Sequence, residues 1–373
     1  MRVLVGMSGG VDSSVAALLL KEQGYEVIGA IMSLWGEGGT FDILKEKLDS
    51  QEQKTATHCA CLSPDKQKDI EQAKAIAKKL GIEFHVIDCS KEYEKIVIDY
   101  FKEEYMQGRT PNPCVQCNRY VKFGAFWELA EKSGIKFDKF ATGHYAKIEE
   151  ENGRFLLRRG VNPKKDQSYF LYGLNQEQLS KTLMPLGRYE KEEIRDIARK
   201  YGFEVADKAD SQDFYVGDYN DILNEEPRKG NIVDINGNIL GTHQGFWNYT
   251  IGQRKGIGVA AVAPLYVVEL RKDSNEVVVA FKDDSLNKGL IANKITLSAI
   301  EKITEPIKCK VKIRSSQEPK EATIKAWGEK ITVEFDELQS PIATGQSAVF
   351  YDGETVLGGG IIESVFWWTN KNY

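Results

Sequence analysis

The sequence predicts an α/β fold: a doubly wound parallel sheet in the amino-terminal part, a small central domain, and an antiparallel β-barrel at the carboxy end. Three observations lead there. Apolar strand-like runs alternate with amphipathic helical runs through the first part. A Ser/Gly turn links the first run of each kind. The last part changes to alternation with period two, broken by turns. Strands buried on both faces of a parallel sheet read as unbroken apolar runs, and such sheets bind ligands beyond their carboxy ends.

Residues 3–5, 27–32, 84–87 and 139–142 read as the buried strands of such a sheet. Between them Ile70, Ala73, Ala77 and Leu80 recur at helical spacing, as do Ile96, Val97, Tyr100 and Phe101. The polar, charged segment 36–54 is expected to be a mobile excursion near the ligand end of the sheet. A last helix carries Ile194, Ile197, Ala198 and Tyr201 on one face, and the Gly- and Asn-rich stretch 202–271 is expected to be irregular. Residues 277–281, 308–313, 331–335 and 348–351 then alternate as strands of a small antiparallel barrel or sandwich. These changes of pattern place the expected domains at 1–203, 204–275 and 276–373, in keeping with the 373-residue length.

The first turn is chemically the most telling segment. Val3-Leu4-Val5 leads into Gly6-Met7-Ser8-Gly9-Gly10-Val11-Asp12-Ser13-Ser14 and then an Ala/Leu helix. Gly9 and Gly10 permit backbone angles closed to other residues, so successive amides can point into one concavity, with the positive end of the helix behind them. That is a pyrophosphate cradle. Ser8, Ser13 and Ser14 add hydroxyl donors, and Asp12 is expected to hold magnesium or to cap the helix. The Gly-Lys-Ser/Thr ending of one phosphate loop and the Gly-x-Gly-x-x-Gly of another are both missing here.

Composition narrows the class. With 42% hydrophobic and 28% charged residues, the chain reads as a globular protein with cores to bury. No uncharged apolar run approaches the roughly 20 residues that span a bilayer. Asp12 interrupts the start before a secretory apolar region can form, so no membrane partner and a cytoplasmic location are expected. The net charge of −5 leaves any nucleic-acid surface to local clusters. Arg158-Arg159, Lys164-Lys165, Arg254-Lys255 and the run Lys308, Lys310, Lys312, Arg314 are the candidates, although each alone is more often a solvated face. The six cysteines suit reduced thiols used for metal binding or catalysis. Cys59-x-Cys61 and Cys114-x-x-Cys117 form tight pairs, while Cys89 and Cys309 read as core or surface residues.

Ser8-Gly9-Gly10-Val11-Asp12-Ser13-Ser14 resembles the loop of the ATP pyrophosphatase superfamily, whose members cleave ATP between its α and β phosphates and adenylate an oxygen. Several further strings select within it. Gly108-Arg109-Thr110-Pro111-Asn112-Pro113-Cys114-Val115-Gln116-Cys117-Asn118 and Lys122-Phe123-Gly124 look like the catalytic loop of the tRNA-specific 2-thiouridylases. Ala141-Thr142-Gly143-His144-Tyr145, Lys165-Asp166-Gln167-Ser168-Tyr169-Phe170-Leu171, Gly252-Gln253-Arg254-Lys255-Gly256 and Gly345-Gln346-Ser347-Ala348-Val349-Phe350-Tyr351 are similar to that family's strings, in its order, across nearly the whole chain.

The resemblance implies a sheet like that of the adenine nucleotide alpha hydrolases, with the central and barrel domains contacting tRNA. It also implies a reaction. ATP adenylates the 2-carbonyl oxygen of a wobble uridine, unstacked from the anticodon loop, and a sulfur nucleophile then displaces AMP. In that comparison Gly6, Met7, Ser8, Gly9, Gly10, Val11, Asp12 and Ser13 hold ATP and magnesium, with Met32 and Gly143 against the nucleotide. Asn112, Pro113 and Cys114 face the base, and Cys117 is the nucleophile. His144, Lys165, Asp166, Gln167, Arg314, Ser315 and Gln346 contact tRNA, and a sulfur-donor protein or sulfide is the other partner. A structural role for His144, closing a strand end, stays open beside this one.

Two departures from the family pattern bear on sulfur. Many members carry a second cysteine in an Asp-Ser-x-x-Ile-Cys-Phe segment, where this chain has Asp210-Ser211-Gln212-Asp213-Phe214-Tyr215-Val216. Tyr215 cannot carry a persulfide. The catalytic loop, in turn, has Cys114 where some members have aspartate. Three readings stay open: a 4Fe-4S cluster on Cys114, Cys117 and Cys61, with Cys59 as substitute for Cys61; a persulfide on Cys117 resolved by Cys114; or a zinc ion on all four thiolates. Two rival function classes remain, a synthetase using the same loop on a small molecule and a non-enzymatic RNA-binding module. The cysteine loop and the late basic strands weigh against the first, and the intact nucleotide loop against the second.

Overall fold

In the computed structural model, which describes all residues except 37, 50–59, 63–65, 209, 211–212, 216 and 368–373, the chain divides into two units. The first comprises Met1–Ile98, Pro113–Ile222 and Glu354–Val356; the second comprises Asp99–Asn112, Leu223–Gly353 and Leu357–Tyr373. No helix among the described residues is long and apolar enough to cross a membrane.

The strands of the first unit are β1 (Arg2–Gly6), β2 (Glu26–Ser33), β3 (Ala60–Leu62), β4 (Glu83–Asp88), β5 (Lys139–Ala141), β6 (Ala146–Glu151), β7 (Arg154–Arg159), β8 (Thr182–Leu183) and β9 (Asp213–Tyr215). Five of them make one parallel sheet in the order β4-β2-β1-β5-β8. Val3, Leu4 and Val5 of β1 have no exposed surface, which is why that strand reads as an unbroken apolar run. The chain leaves β4 at one edge and re-enters at β5 on the far side of β1, so the order reverses between β1 and β5. A crevice opens beyond the carboxy ends of strands at such a reversal, and the Ser/Gly turn after β1 lies there.

Helix α1 (Val11–Glu22) follows that turn, and α3 (Lys66–Leu80) buries Ala73, Ile76 and Ala77 on the face seen in the sequence. Between them, Gly39–Asp49 forms α2. The expectation of a mobile excursion over 36–54 is corrected there, because Phe41 and Leu44, one turn apart, are buried at 2% and 0% exposure. Residues 50–54 lie outside the described residues.

Past β4, α4 (Ser90–Tyr93) runs into a π-helical segment, Glu94–Ile98, that buries Val97 and Ile98. Further on, α5 (Pro113–Gln116) runs into a second π-helical segment, Cys117–Ala125, and then into α6 (Phe126–Lys132). Widening the helix upsets its usual pairing of carbonyls. In α7 (Gln176–Ser180), the Gln178 amide donates to the carbonyls of Arg119 and Phe123, at 2.9 and 2.7 Å. Helix α8 (Lys191–Lys200) buries Ile194 and Ala198 and starts with a capping box between Glu190 and Glu193.

In the second unit, β10 (Gly230–Asp234), β11 (Ile239–His243), β12 (Leu265–Arg271) and β13 (Glu276–Phe281) form a four-stranded sheet in the order β11-β10-β13-β12. Three of these strands lie in the stretch expected to be irregular, so that reading is corrected. Short strands between Gly and Asn turns offer too few residues for a period to show. The remaining strands are β14 (Asn287–Leu297), β15 (Ile307–Lys312), β16 (Lys320–Trp327), β17 (Lys330–Gln339), β18 (Ser347–Asp352) and β19 (Thr355–Trp367). They pair as β14-β17-β16-β15-β18-β19, and β19 returns to β14, so the choice between barrel and sandwich falls to a closed barrel. Leu290, Val311, Ile324, Val333, Phe335, Phe350 and Ile362 fill it. Gly358 allows the closure, since its φ is +153° and a Cβ there would lie 2.2 Å from the Thr296 carbonyl.

Candidate active site

Backbone geometry shapes the turn between β1 and α1. Gly9 has φ +70°, and a Cβ on it would lie 2.5 Å from the Asp69 carbonyl, so only glycine fits. Gly10 is the N-cap and brings no side-chain cap, leaving the first amides of α1 pointing outward. The Ser8 amide donates to Ser13 Oγ at 3.0 Å, and Ser14 Oγ donates to the Gly10 carbonyl at 2.8 Å, which holds the turn. Met7 donates its amide to Ala30 at 2.7 Å. Gly143, beyond β5, lies so close that a Cβ would be 2.8 Å from both Asp12 C and Ser13 N. The structure thus brings Gly6 through Ser13 and Gly143 together at the reversal of strand order. Met32, near the end of the neighbouring β2, is half-buried.

Of the two roles expected of Asp12, the structure excludes one. It does not cap the helix, which starts from Gly10. Both of its carboxylate oxygens accept from Lys191 Nζ, at 2.8 and 2.9 Å, and Oδ1 also accepts from the Tyr145 hydroxyl at 2.7 Å. A magnesium ion held here would share the Asp12 carboxylate with the Lys191 ammonium group. The Tyr145 phenol is pushed above its ordinary range, first by burial and then by the Asp12 charge, and stays a donor.

Lys191 also donates to Asp210 Oδ1 at 2.6 Å, and Lys165 donates to Oδ2 at 2.6 Å. Burial works to raise the Asp210 carboxyl, but the two lysines outweigh it and hold it below its ordinary range. A third lysine, Lys208, reaches the Gly9 carbonyl at 3.2 Å while pairing with Asp69 at 2.7 Å and Gln72 at 2.6 Å. Sequence reasoning missed Lys191, Lys208 and Tyr145 as parts of this site. Spacing does not announce their place in the site, because the partners that put them there, Asp12 for Lys191 and Tyr145, and Gly9 and Asp69 for Lys208, are each more than a hundred residues away.

Pro113 opens α5, where its missing N–H costs nothing, and Cys114 follows it. Cys117 begins the π-helical segment. Both thiols are half-buried, whereas Asn112 is buried at 8% exposure. Asn118, beside Cys117, donates to the Phe170 carbonyl at 3.2 Å and keeps a buried Oδ1 without a hydrogen-bond partner. Cys89 ends the strand region of β4, fully buried; burial first, then the charges of Glu92, Asp88 and Cys117, push its thiol up to about 12. Cys59 and the side chain of Cys61 lie outside the described residues. Among the described residues, no group of three or more His, Cys, Asp or Glu is placed to hold a metal ion.

In the segment that carries the second cysteine in many family members, Tyr215 is buried at 2% exposure and its hydroxyl donates to Asp221 at 3.1 Å. Its strand, β9, pairs in parallel with β3, which contains Cys61.

The residues expected to meet RNA are variously placed. His144 Nδ1 lies 2.7 Å from Thr142 Oγ1 under the Phe123 ring, and burial, then the Lys122 charge, hold its imidazole well below the ordinary range and neutral. The Asp166 side chain is fully buried, accepting from Arg159, the Gly160 and Ser168 amides and the Ser168 hydroxyl. Its carboxylate therefore holds a turn. Gln167 Oε1 accepts from the Tyr145 amide at 2.9 Å. In the second unit, Arg314 Nη2 donates to the carbonyls of Ile251 and Pro341, each at 3.0 Å, and Ser315 is exposed. Gln346 donates its amide to the carbonyls of Thr110 and Pro111, at 3.1 and 2.9 Å.

Three family models match the chain in succession: the tRNA methyl transferase HUP domain over residues 1–217, the tRNA methyl transferase PRC-barrel domain over 220–281, and the aminomethyltransferase beta-barrel domain over 287–362. Tested against whole proteins, the chain is 46% identical over 367 residues to tRNA-specific 2-thiouridylase MnmA of Endomicrobium trichonymphae, covering 97% of this chain and 99% of that protein. The chain belongs to the tRNA-specific 2-thiouridylase family. Its identity to the MnmA 2 protein of Clostridium tetani is 48% over 370 residues, covering 97% and 98% of the two chains. Among solved structures, the U34-tRNA thiolase NcsA from Methanococcus maripaludis with its [4Fe-4S] cluster is 18% identical, with TM-score 0.33, over 55% of this chain and 58% of that one.

Proposed function

We propose that this protein is a tRNA 2-thiouridylase: it transfers AMP from ATP to the 2-carbonyl oxygen of a wobble uridine and then replaces that oxygen with sulfur. The observation that carries the reading is the glycine cradle at Gly9–Gly10, set where the sheet order reverses, in a chain with family-wide similarity along its length. In the first step the uridine oxygen attacks the α-phosphorus and pyrophosphate leaves. In the second, sulfur attacks C2 and AMP leaves with the oxygen. Outward amides of α1 suit the charge that builds on the departing pyrophosphate. Adenylation is required because a carbonyl oxygen is a poor leaving group.

In this proposal Asn112, Pro113 and Cys114 lie against the base and Cys117 beside the incoming sulfur; on the persulfide route a donor protein supplies Cys117 with sulfur already at the persulfide level, and Cys114 then frees the thiolated base by forming a disulfide with Cys117 that an external thiol reopens. In the first unit Lys165, Gln167 and His144, and in the second Arg314, Ser315 and Gln346, contribute RNA contacts, through backbone where their side chains are already engaged. Cys114 and Cys117 with Cys61 or Cys59 would hold a 4Fe-4S cluster, which when bound would present an open iron to sulfide. Iron and labile-sulfide content of protein purified without air separates that route from a plain persulfide on Cys117 or a zinc site.

The test is incubation with an unmodified tRNA transcript, labelled ATP and sulfide. Expected are AMP, pyrophosphate and a thiolated transcript that is retarded in a mercury-containing gel. ATP turnover that ignores tRNA would overturn the reading in favour of a small-molecule synthetase.

A further inference from the structure

Lys191 is the first residue of α8, a surface-type amphipathic helix, yet its side chain is only 7% exposed. Its ammonium group has three acceptor contacts at 2.9 Å or less, two on Asp12 and one on Asp210. The Tyr145 ring lies 5.7 Å from the same nitrogen, and the Tyr145 hydroxyl fixes Asp12 from the other side. Lys165 occupies the second oxygen of Asp210. Asp12, Asp210, Lys165 and Lys191 thus form a charged cluster in which Lys191 touches both acids.

The two acids belong to different parts of the unit. Asp12 is in the nucleotide loop, while Asp210 precedes β9 in the sequence, and β9 pairs with β3. Removing the shared cation would leave two half-buried carboxylates facing each other, a costly arrangement. A triphosphate arriving at the cradle would meet a neutral Asp12–Lys191 pair in the intact protein and a bare carboxylate without it.

We propose that Lys191 is a positioning residue with two attachments: through Asp12 it makes the nucleotide loop acceptable to a polyanion, and through Asp210 it holds a carboxylate, three positions before β9, that the sulfur-transfer half of the reaction needs in place. The second attachment rests on the thiolation reading, whereas the first does not. The two are therefore measured separately, by equilibrium binding of ATP without tRNA and by kcat for transcript thiolation.

Lys191→Met is expected to weaken ATP binding by roughly tenfold or more and to lower kcat by at least about tenfold. Asp210→Asn, which leaves the Asp12–Lys191 pair in place, is expected to bind ATP within about threefold of wild type while losing about tenfold or more in kcat. Lys191→Arg, long and cationic, is expected to recover ATP binding, with circular dichroism checking that each variant folds. If Lys191→Met fails to fold, the Asp210→Asn and Lys191→Arg results decide. Wild-type ATP affinity in Lys191→Met would overturn the first attachment. Wild-type kcat in Asp210→Asn, or ATP binding lost together with kcat in that variant, would overturn the second. Thiolation absent from the wild-type protein itself would instead count against the proposed function and leave the ATP-binding result standing.

Discussion

Half-exposure separates Cys114 and Cys117 from the two fully described thiols elsewhere. Cys89 and Cys309 are buried, and both are pushed up to about 12, in each case first by burial and then by neighbouring carboxylates. At pH 8 their thiols are protonated as well as shielded, which disfavours alkylation twice over. Brief iodoacetamide treatment of the native protein followed by peptide mapping is therefore expected to label Cys114 and Cys117 and to leave Cys89 and Cys309 unlabelled until denaturant is added. Labelling of Cys89 at the same rate as Cys117 would contradict this. Tyr215 is at home in a buried setting of its own: its ring fills space and its hydroxyl has Asp221 to bond.

At the scale of elements, the Ser/Gly turn depends on two close approaches. Gly9→Ala would add a Cβ 2.5 Å from the Asp69 carbonyl at a φ of +70°, so the turn must move. A conformation of this kind costs about 1–3 kcal/mol for a non-glycine residue. Weaker ATP binding, by roughly tenfold or more, with a small fall in thermal midpoint is the expected result of calorimetry on that variant. Unchanged affinity would mean that the cradle is not where phosphates bind. This turn was legible from the sequence because its chemistry is local: glycines, serines and a flanking apolar strand all lie within a dozen residues. The parallel strands were legible for a related reason, as both faces of Val3-Leu4-Val5 are buried. The π-helical segments were not, since at five and nine residues they are too short for a different period to show. Nor was α2, where two buried residues, Phe41 and Leu44, are hidden among charges. Lys191 lay beyond reach because its partner Asp12 is 179 positions away, and a pairing at that distance leaves no mark on spacing.

For the whole molecule, acidity should act through the cluster around Asp210. Its carboxyl is held below the ordinary value, near 4, in the folded chain. A group of this kind adds stability at every pH above its ordinary value, and the addition is lost as pH falls through the lower, folded value. Thermal midpoints measured from pH 6 downward are thus expected to drop below about pH 4, and to drop less steeply in Asp210→Asn, which has no carboxylate to protonate. Parallel curves for the two proteins would remove Asp210 from the account.

The return of β19 to β14 also sets the terms on which other molecules can approach the last part of the chain. A sheet wound into a ring offers no row of vacant amides and carbonyls along those two strands, so an extended peptide cannot join there by lengthening it. Whatever docks on the ring must be recognised by side chains and connecting turns, which can vary between relatives without disturbing the hydrogen-bonded wall beneath them.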